Sequence, residues 1–196
     1  MLPFTLAVLL LGGAAYFMYR RVQPIEKHAP ADLTDESIRQ QWRALGFFCE
    51  LDKEKKTWTL TGSRKGLLYF PDLLLGFVTD PKNAVDGAKQ HYGPYGSLEI
   101  MTYPEAGFDG NAIRGSLDDL TRLAELVGEK LATAEPGSPI VIREQFAETS
   151  PYSLLLDVRA DGFDAASADQ EKLGASVTPA SKGPPPGTTP GIHTKP

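Results

Sequence analysis

Cysteine occurs once in this 196-residue chain, at Cys49, and histidine three times, at His28, His91 and His193. One thiol cannot close an internal disulfide, which agrees with a reducing compartment. So few scattered Cys and His residues do not supply the clustered ligands of a zinc site. Basic residues are also in the minority. Between Asp32 and Arg159 there are 14 Lys and Arg against 20 Asp and Glu, a net charge of −6. A nucleic-acid partner needs a basic footprint, so none is expected. No phosphate-binding loop is present either: Gly93-Pro94-Tyr95-Gly96 lacks both the Lys-Ser/Thr ending and the dinucleotide spacing. Nothing calls for a cofactor, and the chain carries no internal repeat.

A further absence is the most informative. The first nineteen residues contain no Asp, Glu, Lys or Arg, and Arg20-Arg21 follow. Eighteen residues of helix span roughly 27 Å, close to the hydrocarbon thickness of a bilayer. Tyr16 and Tyr19 fall at the far end, where amphipathic rings favour the headgroup layer. Residues 1–21 are therefore expected to form a transmembrane anchor that meets lipid through residues 2–19. A cleaved signal peptide is the rival reading, but it wants a positive start and a small-x-small cleavage site. Here bulky Tyr16 to Tyr19 follow the small residues Gly12 to Ala15. Arg20, Arg21 and Lys27 follow the span, which places the rest of the chain in the cytoplasm as a single-pass inner-membrane protein. No Gly-x-x-x-Gly pair marks a helix-dimerisation face.

Residues 22–31, with Pro24 and Pro30, read as a tether, and the chain from Asp161 to Pro196 reads as a disordered Pro/Gly-rich tail. The folded unit is expected over residues 32–160. Thr34 starts a helix with Asp35 and Glu36 in its first turn, and Ile38, Trp42 and Leu45 recur on one face. Phe47 to Leu51 and Thr57 to Thr61 form a predicted hairpin. Ser63 opens a second helix through Leu67, Phe70, Leu74 and Phe77, which Pro71 kinks or restarts. Ser97 to Tyr103 and Ala112 to Arg114 are predicted strands. Ser116 and Asp119 open the best helix, which runs to Leu131. Pro139 to Phe146 and Tyr152 to Val158 are the last two strands. The order predicts an α+β fold, a largely antiparallel sheet with helices on one face.

Only His91 among the histidines lies in this unit. With no Gly-x-Ser-x-Gly elbow, it reads better as a loop or surface residue than as a general base. Asp80, Asp86, Glu105 and Asp109 lie near predicted loops, where carboxylates are usually solvated and no metal is expected. The turns Gly93 to Gly96 and Gly107 to Asn111 flank one strand. If the chain bends back they share a surface, with Tyr92, Tyr95, Tyr103 and Phe108 as aromatic contacts. Aromatic residues covering the edge of the core are the alternative.

The segment His91 to Gly115 reads HYGPYGSLEIMTYPEAGFDGNAIRG. Together with Gly62 to Leu68, GSRKGLL, and Leu117 to Leu120, LDDL, it resembles small α+β immunity proteins of bacterial polymorphic-toxin and type VI secretion systems. The resemblance covers Leu45 to Ala132. It implies a non-enzymatic inhibitor that binds and occludes a cognate toxin protein. His91, Tyr92, Tyr95, Glu105, Phe108, Asp109 and Arg114 are the expected partner-binding residues. Two other readings remain open: an anchored assembly module of a bacterial envelope complex, and a membrane-bound enzyme using His91.

Overall fold

A computed structural model describes residues 35–169. The expected membrane anchor, the tether and the tail beyond Asp169 lie outside the described residues. Among the described residues, no helix is long and apolar enough to cross a membrane.

Helix α1 (Asp35–Leu45) carries Asp35 and Glu36 in its first turn, where carboxylates suit the helix dipole, and buries Ile38 and Trp42. Strands β1 (Phe48–Asp52) and β2 (Thr57–Ser63) form the expected hairpin. Ser63 then caps α2 (Arg64–Leu67) by accepting from the Gly66 amide at 3.1 Å. A third helix, α3 (Tyr69–Thr79), follows after Leu68, so Pro71 falls in a first turn that tolerates it. Lys89–Tyr92 forms β3, Leu98–Thr102 β4, Gly107–Phe108 β5 and Ile113–Gly115 β6. Helix α4 (Leu117–Ala132) has a capping box: the Ser116 hydroxyl accepts from the Asp119 amide and the Asp119 carboxylate accepts from the Ser116 amide. Its buried stripe is Leu120, Leu123, Ala124, Val127 and Leu131. Strand β7 (Ile140–Ile142), the short helix α5 (Glu144–Ala147) and β8 (Ser153–Arg159) complete the elements.

The α+β class holds, but the sheet is not one antiparallel layer. Among the described residues there are two four-stranded mixed sheets, ordered β1-β2-β8-β7 and β3-β4-β6-β5. In each, two antiparallel hairpins meet through a parallel central pair, β2 with β8 and β4 with β6. The chain builds the whole second sheet between β2 and β7, so that sheet sits inside the crossover of the first. Both sheets contribute to one core, in which Leu60, Ile100, Phe108, Leu120 and Leu156 are fully buried.

Two local expectations need correction, and one strand was not expected at all. Lys89–Tyr92 is a strand, although its sequence has no apolar alternation; pairing with β4 sustains it. Gly107–Phe108 is a short strand rather than part of a turn. The expected strand through Phe146 stops at Ile142, because residues 144–147 coil to bury Phe146 and Ala147.

The ordered fold also runs past residue 160. Ala165 and Ala166 are buried in a 3-10 turn, Ala165–Ser167, that packs on α1. Asp164 grips Arg43 through both carboxylate oxygens, and the Trp42 indole N–H donates to buried Asp169 at 2.9 Å. The arginine holds the Asp164 carboxyl below the usual carboxylate range.

Candidate functional site

Side chains alternate across a strand, so register assigns each residue of the second sheet to a face. Tyr92, Leu98, Ile100 and Ile113 turn into the core. On the opposite face His91 stands beside Glu99, and Lys89, Met101, Arg114 and Gly107 form one row across all four strands. Tyr103, just past β4, continues this face, its ring lying under the Arg114 guanidinium at 4.3 Å. The Pro94–Gly96 turn bounds it, with Gly96 packed on the His91 ring.

Seven residues were expected here, and the structure divides them. His91 and Arg114 lie on the outward face. Asp109 joins them through its Oδ2 atom, 3.2 Å from Arg114 Nε. Tyr95 is at the margin, 67% exposed, with its backbone in the left-handed region at φ 60°. That conformation costs a non-glycine residue roughly 1–2 kcal/mol, so the turn holds a tyrosine where glycine would fit more easily. Burial raises the Tyr95 phenol pKa first, and the negative charges of Asp169 and Asp35 add to it. Glu105 is exposed on the turn after β4.

Tyr92 and Phe108 belong to the interior. Tyr92 is 4% exposed, and burial, with Asp80, pushes its phenol up. Phe108 has no exposed surface and packs on Phe146 at 5.1 Å. For these two the alternative of aromatic residues in the core is correct.

Two carboxylates, Glu99 and Asp109, engage the cations of the face. Glu99 lies 3.4 Å from Lys89 and also contacts His91 Nε2. Asp109 Oδ1 accepts from the Asn111 and Ala112 amides, which fixes its turn. The turn is locked from the other sheet as well. The Trp58 indole donates to the Asp109 carbonyl at 2.8 Å, and Tyr152 closes over Gly110. Neighbouring β5 has its outer edge satisfied by one side chain: the Ser150 hydroxyl accepts from the Phe108 amide at 2.8 Å and donates to the Phe108 carbonyl. Replacing Ser150 by Ala leaves both buried backbone groups unpaired, and should cost about 2–3 kcal/mol. Urea unfolding would measure that loss, and hydrogen exchange should place it at the Phe108 amide.

Little here suits covalent chemistry. Cys49 is 3% exposed, its thiol donates toward the Ser97 carbonyl, and burial pushes its pKa up, keeping it protonated. Among the described residues no group of three or more His, Cys, Asp or Glu is placed to hold a metal ion. Asp80, one of the loop carboxylates, caps a 3-10 turn through the Lys82 amide.

Sequence reading missed Lys89, Glu99 and Met101 as members of this face. The signal for two of them was present: in Leu98 to Tyr103 every second residue is apolar or Thr and buried, leaving Glu99, Met101 and Tyr103 on the other side. No protein-family model, curated protein or solved structure matches this chain.

Proposed function

We infer that the chain is an immunity-type inhibitor: it binds a cognate secreted toxin through the outward face of its second sheet and has no catalysis of its own. Residues 2–19 would hold it at the inner membrane, with the domain on the cytoplasmic side. The observation that carries this reading is the braced character of that face. Glu99 engages both Lys89 and His91, and Arg114 engages both Asp109 and Tyr103. Rigid arginine and tyrosine side chains on a sheet suit recognition, since interface energy concentrates in such residues. The acidic body complements a basic toxin cleft and favours rapid encounter.

Co-expression with a toxin encoded beside this gene tests the reading. The full chain should restore growth that the toxin alone abolishes. Arg114→Glu should remove protection while preserving cooperative unfolding, since a lost anchor of about 2 kcal/mol or more weakens binding roughly thirtyfold. A chain that never protects is no inhibitor. An envelope defect on deletion, with no toxin present, would favour the anchored assembly module instead.

A further inference from the structure

The Arg114 guanidinium is held on three sides. Tyr103 stacks on one face, and the Gly107 backbone lies close enough that a Cβ there would meet the guanidinium at 3.4 to 3.8 Å. Asp109 Oδ2 sits 3.2 Å from Nε, which is buried and makes no aligned hydrogen bond. The two terminal nitrogens donate to no group among the described residues. An arginine fixed this way has already given up most of its rotamer freedom, and its planar fork matches a carboxylate through two parallel hydrogen bonds.

We propose that Arg114 is a preorganised receptor for one carboxylate side chain of the protein partner, which docks over Met101 and against the Tyr103 ring. The proposal deepens the inhibitor reading and rests on it for the identity of the partner. Charge selects the ligand. Arg114 and Asp109 together are neutral, and nearby Lys89 is engaged by Glu99, so the site offers one fork and no surplus cation. Added to this neutral pair, a carboxylate brings the net charge to −1 and a phosphate dianion to −2, so the singly charged planar anion meets the weaker repulsion from Asp109. Packing agrees, because half-buried Met101 gives the floor an apolar patch for the methylene stem of Asp or Glu. The partner thus presents basic surface to the acidic body and a single acidic residue to this point.

The test needs no toxin. Full-length ¹⁵N-labelled protein is titrated with sodium acetate at constant ionic strength set by sodium chloride, and the Arg114 Nε–H resonance is followed. A saturable shift centred on Arg114, Tyr103 and Gly107 is expected, with inorganic phosphate binding no more tightly than acetate. Arg114→Lys should abolish saturation, because a point charge does not reproduce the fork. Tyr103→Phe should keep it, and Tyr103→Ala should weaken it about two- to fivefold through loss of the stacked ring. Shifts that stay linear, persist in Arg114→Lys, or are stronger with phosphate would overturn the proposal. Such a result leaves the inhibitor reading standing on the protection assay; failed protection with intact acetate binding removes that reading and keeps the receptor.

Discussion

Alanine at Gly66 should leave the domain unfolded, or destabilise it by about 3 kcal/mol or more. Gly66 lies in α2, so the helical backbone itself would accept alanine. The obstacle is contact: a Cβ at Gly66 would stand 2.1 Å from the Gly46 carbonyl oxygen. The obstructing atom is backbone, which cannot swing aside, and overpacking at fixed backbone costs about 1–3 kcal/mol even where side chains can adjust. Gly46 cannot easily retreat, because its own φ of 86° closes α1 and its amide bonds to Trp42. Gly128 provides the control. It lies inside α4, a Cβ there would meet nothing within 4 Å, and Gly128→Ala should stabilise by about 0.5–1 kcal/mol. Urea midpoints of the two variants should move in opposite directions. A tolerated Gly66→Ala would mean that α2 does not press on the end of α1.

Ending the chain at Ala160 should also be costly, by about 3 kcal/mol or more and roughly 10 °C in melting temperature. The deletion exposes the face of α1 that Ala165 and Ala166 cover, and it strips the Trp42 indole N–H of Asp169 in a buried setting. An unpaired buried donor alone costs about 1–3 kcal/mol. The Arg43–Asp164 pair adds less, since Arg43 is half-exposed. Asp169→Ala in the full chain separates these effects and should lose about 2 kcal/mol. Unchanged melting after truncation at Ala160 would show that residues 161–169 ride on the domain without supporting it.

That segment also marks where sequence reading reaches its limit. Its Ala, Ser, Gly and Asp residues have no apolar period, so composition alone reads it as tail. Its order comes from partners 121 and 127 positions away, at Arg43 and Trp42, and such pairings leave no local trace. Where the signal was local it was legible. The Ser116–Asp119 capping box, the Ser63 cap and the Phe47 to Thr61 hairpin stand close to where the spacing put them. Strand β3 was hidden because Lys89, Gln90 and His91 are polar and are held by their ladder with β4. In the candidate site, Arg114, Asp109 and His91 were readable as polar residues in a turn-rich stretch, and the fold leaves all three half-buried. Phe108 was not separable from them, because strand pairing with Ile113 decides which way its ring faces.

The placement of the second sheet within the crossover of the first sets the order in which the molecule can be completed. Strand β2 takes its neighbour from the end of the domain, with Thr57 opposite Ser153 and Ser63 opposite Arg159. At a synthesis rate of about 5–20 residues per second, the ribosome delivers β8 roughly 5–20 s after β2. Throughout that interval the β1–β2 hairpin has one unpaired flank, while the second sheet and α4 can already assemble. The closing strand then inserts between β2 and β7, linking the earliest part of the domain to the latest. A nascent chain stalled before Ser153 would present Trp58 and Leu60 beside an open strand edge, a template for pairing with other chains.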